Sequence, residues 1–127
     1  QETVMVVEDE ELVRKVLCET LEAAGYQVLE AGSSGEAVTL STQHRGRIHL
    51  LITDLVMPGR SGHDLVAHMG RARPEMAMLC VSGYADQALV QSERLGTEMP
   101  FLQKPFTPDA LLRKVREILD EPSRRAA

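Results

Sequence analysis

Four short polar stretches interrupt the apolar runs of this chain: Glu8-Asp9-Glu10, Asp54, Ser82-Gly83 and Lys104. Carboxylates brought together repel one another and raise one another's pKa unless a cation lies among them. Mg2+ (or Mn2+) suits such a set, being hard, oxygen-seeking and satisfied by one or two carboxylates with water and phosphate oxygens. A carboxylate can also attack a phosphoryl group and form an acyl phosphate. That reaction asks mainly for in-line positioning and for neutralisation of charge on the equatorial oxygens. An ammonium such as that of Lys104 and a hydroxyl such as that of Ser82 are suitable donors to those oxygens. The plainer alternatives are an acidic first turn favouring a helix N-terminus, a solvated lysine and a capping serine. They account for Glu10 and Glu11, fit Glu8 and Asp9 less well, and leave Asp54 unexplained.

These residues belong together only if the elements carrying them bring them together. Residues 4–7 form an apolar run without polar alternation, as in a parallel strand buried on both faces. Val13, Val16, Leu17, Leu21 and Ala24 recur at helical spacing, and Gly25 ends that helix at the C′ position. A weaker strand spans 27–31, and Ser33 or Ser34 caps a helix with Ala37, Val38 and Leu40 inward. The third strand, 49–53, runs into Asp54. Residues 55–62 hold one Pro and two Gly and read as a loop, after which Ser61 caps a helix with Leu65, Val66 and Met69 inward. A fourth strand spans 77–81. The helix at about 86–95, anchored by Ala88, Leu89 and Leu95, is the least amphipathic and is expected to be the least firmly packed. A fifth strand spans 99–103. Thr107 then caps a helix with Pro108 at N1, and Leu111, Leu112, Val115, Ile118 and Leu119 trace its apolar stripe.

Five such βα units predict an α/β, doubly wound parallel sheet, because each parallel crossover needs a helix. Ligands of these sheets bind beyond the carboxyl ends of the strands, where strand order reverses. The acids at 8–10 follow the first strand, Asp54 the third, Ser82 the fourth and Lys104 the fifth. Four strand ends of five therefore carry groups able to build a site.

The bulk properties exclude other classes. The 127 residues, 43% hydrophobic and 26% charged, suit one globular domain, 1–120, with a polar tail at 121–127. A net charge of -5 argues against nucleic acid, and Arg71, Arg73, Arg124 and Arg125 are too few to reverse that. No apolar run approaches the ~20 residues of a bilayer span, so a cytoplasmic domain is expected. Cys18 and Cys80, without a CxxC, read as small buried hydrophobes in a reducing compartment. His44, His49, His63 and His68 are scattered, and none of the pairs has the i, i+4 spacing of helical metal ligands.

With its residues in this order, the chain resembles the receiver domain of response regulators in two-component signalling from Val4 to about Leu119. The resemblance rests on Val6-Val7-Glu8-Asp9-Glu10, Thr53-Asp54-Leu55-Val56-Met57-Pro58-Gly59, Val81-Ser82-Gly83-Tyr84 and Lys104-Pro105-Phe106. It implies a flavodoxin-like sheet of order 2-1-3-4-5 with five helices. It aligns Asp54 with the phosphorylated aspartate, Asp9 with the direct metal ligand and Glu8 with the acid that reaches the metal through water. The Val56 carbonyl aligns with the third protein ligand, Ser82 with the switch hydroxyl, Lys104 with the family lysine and Phe101 with the switch aromatic. The implied switch remodels the face formed by the fourth helix, fifth strand and fifth helix. Read without the resemblance, Phe101 is a core residue. The implied partner is the phosphohistidine of a histidine kinase or histidine phosphotransfer protein. The domain would be a monomer or weak dimer and not a turnover enzyme.

Three departures bear on function. Glu8 stands where Asp is usual, adding a methylene that a water-mediated contact tolerates. Val56 has no polar group to orient an attacking water, and Tyr84 stands where it would shield the phosphoryl group, so a long-lived acyl phosphate is expected. The wording at 82–86 and 101–108, the non-Met start and the ragged tail resemble the C-terminal receiver of a hybrid sensor histidine kinase; a free-standing regulator is the alternative. An aspartyl-phosphate phosphatase of the haloacid dehalogenase type would need an acid where Val56 stands. A degenerate receiver that only binds protein is at odds with the retention of Asp9, Asp54, Ser82 and Lys104.

Overall fold

Five short strands pair in parallel in the order β2-β1-β3-β4-β5. The computed structural model describes residues 2–54, 62–82 and 100–121, with Gly62, His63 and Ser82 described by their backbone. The strands are β1 (Thr3–Val7), β2 (Gln27–Ala31), β3 (Leu50–Asp54), β4 (Ala77–Ser82) and β5 (Phe101–Gln103). The helices among the described residues are α1 (Glu11–Ala23), α2 (Ser34–Gln43), α3 (Gly62–Ala72) and the C-terminal α4 (Pro108–Asp120). The expected helix at 86–95, the Ser61 cap and the tail from 122 onward lie outside the described residues.

Side-chain alternation along the strands divides the core in two. Met5, Val7, Leu51, Met78 and Cys80 face one side, with Ala37 of α2 and Leu65, Val66 and Met69 of α3. Val4, Val6, Leu50, Ile52, Leu79 and Val81 face the other, with Leu17, Cys18 and Leu21 of α1 and Leu111 and Val115 of α4. β1 and β3 are buried along their whole length, which is why they show no polar alternation. Cys18 and Cys80 are free and buried, on opposite faces. Burial pushes the Cys80 thiol up to about 12 and the Cys18 thiol up to about 11, so both act as hydrophobes.

The helix ends follow their local chemistry. Ser33 Oγ accepts from the Glu36 amide at 3.1 Å and caps α2, and Thr107 Oγ1 accepts from the Ala110 amide at 3.1 Å and caps α4. Gly25 follows the C-cap of α1 with φ of 101°, a conformation open to glycine at little cost. α2 ends on a cation from elsewhere: Arg73 donates to the carbonyls of Ser41, His44 and Gly46 and to Ser41 Oγ. On α1 the apolar spacing and the buried face differ at Val16 and Ala24. Val16 and Leu12 are exposed (52% and 79%) and Cys18 is buried, because the sheet covers a stripe through Leu17, Cys18 and Leu21 rather than through Val16. Ala24 is likewise exposed, as the C-cap.

Candidate functional site

Register brings the first two acids together. β1 pairs with β3 so that Val7 lies beside Thr53. The next residue on each strand, Glu8 and Asp54, therefore emerges at one level. Because β2 and β3 flank β1 on opposite sides, this is the crevice where strand order reverses. β3 pairs with β4 through Asp54 and Val81, and β4 with β5 through Ser82 and Gln103. Lys104 thus follows β5 at the same rim.

Lys104 Nζ donates to Asp54 Oδ2 at 2.8 Å and to Glu8 Oε1 at 3.0 Å. Glu8 is fully buried and Asp54 is 6% exposed. Burial pushes the Glu8 carboxyl above its ordinary value, against hydrogen bonds from Lys104 and the Glu10 amide that pull it down. Burial alone would lower the Lys104 ammonium, but the hydrogen bonds to Asp54 and Glu8 outweigh it and hold the pKa above the ordinary value. The lysine is thus charged at neutral pH and stands between two buried acids.

Asp9 adds a third, exposed carboxylate, and one oxygen from each of Glu8, Asp9 and Asp54 lies within 4.8 Å of the other two. Three carboxylates outnumber the one ammonium among them, and such an excess of oxygen donors suits a hard cation. An ion with oxygens at about 2.1 Å places opposite ligands about 4.2 Å apart. Oxygens that all lie within 4.8 Å of one another are compatible with that spacing. The donor set therefore fits Mg2+ or Mn2+.

Glu8 is held through each of its polar groups. Its amide donates to the Ala31 carbonyl at 3.1 Å, and its Oε2 accepts from the Glu10 amide at 3.1 Å. Its carbonyl accepts from Arg14 Nη1 at 2.8 Å, and its Oε1 accepts from Lys104. Arg14, on α1, also donates through Nε to Glu30 Oε2 of β2 at 2.9 Å. Sequence reasoning did not find Arg14: an arginine in the first turns of a helix reads as solvated until β2 is seen beside it.

The expected residues thus fall into three groups. Glu8, Asp9, Asp54 and Lys104 are brought together. Ser82 ends β4 at the same rim, while its hydroxyl, Val56 and Tyr84 lie outside what is described. Phe101 opens β5, partly buried against the core face that includes Met78 and Cys80. Of the histidines, His49 ties down the start of β1: its Nδ1 accepts from the Thr3 amide at 3.0 Å.

A sequence profile of the response regulator receiver domain matches residues 4–116. The chain is 34% identical over 119 residues to the sensor kinase CckA of Brucella abortus, a match that covers 94% of this chain and 13% of that protein. The chain spans only about a quarter to a half of several other relatives, among them transcriptional regulators. The crystal structure of the receiver domain from a hybrid histidine kinase CckA superposes with a TM-score of 0.79 at 30% identity, covering 93% of this chain and 99% of that one. The response regulator TrrA of Thermotoga maritima, solved in complex with Mg2+ and BeF, superposes with a TM-score of 0.80 at 25% identity, covering 94% of this chain and 100% of that one.

Proposed function

We propose that this chain, which belongs to the response regulator receiver domain family, accepts a phosphoryl group from a phosphohistidine on the Asp54 carboxylate. Glu8, Asp9, Asp54 and the Val56 carbonyl would hold a divalent cation, Mg2+ or Mn2+. The observation that carries this reading is the Glu8–Lys104–Asp54 arrangement at the crevice between β1 and β3, with Asp9 beside it. When bound, the cation supplies neutralisation of the charge gathered on the phosphoryl oxygens.

A carboxylate oxygen of Asp54 attacks phosphorus, the P–N bond to the donor imidazole breaks, and its electron pair returns to that nitrogen. Lys104, charged and anchored between two acids, is poised to turn its ammonium toward a phosphoryl oxygen. Ser82 is the second donor in this reading, and Phe101 the ring that follows the Ser82 hydroxyl when it moves inward. That movement remodels the face shared by residues 86–95, β5 and α4. Val56 and Tyr84 set a long lifetime for the acyl phosphate. The domain assists its own phosphorylation and dephosphorylation and turns over no substrate by itself.

The likeness to a sensor kinase over a small part of that kinase's length, and to a hybrid kinase receiver over nearly all of that chain, supports a receiver module of a hybrid histidine kinase. The phosphoryl donor is then a phosphohistidine of the same signalling chain.

The test is intact mass after incubation with Mg2+ and acetyl phosphate. A gain of one phosphoryl unit that requires Mg2+ and is lost in Asp54→Ala supports the reading. No gain from acetyl phosphate or from a phosphorylated histidine kinase domain sinks it.

A further inference from the structure

We propose that Arg14 is a positioning residue for the cation site, a clamp that sets the turn carrying Glu8 and Asp9; this rests on the reading of those acids as cation ligands. Among the described residues, Arg14 donates to none of the carboxylates of the cluster. It holds instead the peptide that joins two of them, through Nη1 on the Glu8 carbonyl at 2.8 Å. Fixing that carbonyl fixes the plane of the Glu8–Asp9 peptide, and so the direction in which Asp9 leaves the chain. Asp9 is the exposed acid of the three, the one with least packing to hold it.

The guanidinium is itself oriented from β2. Its Nε donates to Glu30 Oε2 at 2.9 Å, and the planar fork ties the direction of Nη1 to that bond. Space for it is provided by Gly32, just past the end of β2. A Cβ at that position would lie 2.8 Å from Arg14 Nη1. The absence of a side chain at Gly32 is thus what lets Arg14 reach Glu8. Arg14 makes the contact with the Glu8 carbonyl, Glu30 orients it and Gly32 leaves it room.

Charge and position predict opposite signs for the loss of Arg14. Removing a positive charge near a cation site strengthens cation binding by Coulomb's law, whereas loosening the residues that orient metal ligands weakens it, about 10-fold to 100-fold. The substitution Gly32→Ala separates the two further. It leaves the net charge unchanged and pushes the end of a flexible side chain off the Glu8 carbonyl.

The experiment is calorimetric titration of Mg2+ into the wild type, Arg14→Ala, Gly32→Ala and Arg73→Ala at fixed ionic strength. Thermal melts of each protein without Mg2+ verify folding. Arg73→Ala removes an arginine that clamps α2 far from the acids. The expected result is binding about 10-fold weaker in Arg14→Ala and in Gly32→Ala, and unchanged in Arg73→Ala. Unchanged or tighter binding in either Arg14→Ala or Gly32→Ala would overturn the clamp while leaving the cation site standing. No binding by the wild type would overturn the cation site and the clamp with it.

Discussion

The ammonium of Lys104 lies 2.8 Å from the Asp54 carboxylate, across 50 residues of sequence. In the same position it reaches buried Glu8 at 3.0 Å. Its removal leaves two buried acids facing each other without a cation. Lys104→Ala is therefore expected to slow phosphoryl uptake by Asp54 about 10²-fold, the scale of losing one donor to a developing charge. Time-resolved intact mass with acetyl phosphate and Mg2+ checks this. An unchanged rate would show that Lys104 serves folding only.

Glu8 links the site to stability through pH. Its folded pKa is raised above the ordinary value of 4.5, chiefly by burial. A raised folded pKa means that the protonated acid favours the fold. Its contribution is fully present below about 4.5 and is lost as pH rises through the folded pKa. Glu8→Gln, which stays neutral, should melt above the wild type at neutral pH without divalent cations. That gap should close as the pH falls below 4.5. Melting curves across this range in a chelator decide it, and a gap that widens toward acid would contradict the assignment.

Cation binding to the folded state should stabilise it by mass action. At Mg2+ about 100-fold above its dissociation constant the gain is about 2.7 kcal/mol. It should disappear in Asp9→Ala and on addition of EDTA. Denaturant midpoints with and without Mg2+ measure it directly; equal gains in wild type and Asp9→Ala would remove Asp9 from the ligand set.

Arg73 supplies a prediction remote from the chemistry. It donates to three carbonyls beyond or within the last turn of α2, which that helix end cannot satisfy internally. Arg73→Ala should cost about 2 kcal/mol, on the scale of hydrogen bonds to a charged group, with phosphoryl uptake unchanged. Thr107→Ala should cost about 1 kcal/mol through loss of the α4 cap. Urea unfolding of both variants tests the two figures.

What the sequence determined by itself is the ladder of elements and the candidate groups at the strand ends. Apolar runs without alternation mark β1 and β3 because both faces of those strands are covered. Ser33 or Ser34, Thr107 and Gly25 announce helix ends because capping depends on single residues and their immediate neighbours. Acids, a serine and a lysine standing after strands then point to one rim, because parallel strands all end on the same side of the sheet.

Only the tertiary structure decided which atoms meet. The pairing of Val7 with Thr53 is a matter of register, and the level placement of Glu8 and Asp54 follows from it. The exposure of Val16 and burial of Cys18 depend on how α1 is rotated against the sheet, which a helical period leaves open by a residue. Arg14 and Gly32 were silent for the same reason. Their importance lies in a contact between α1 and the end of β2, and contacts between distant segments leave no mark on the local pattern of either.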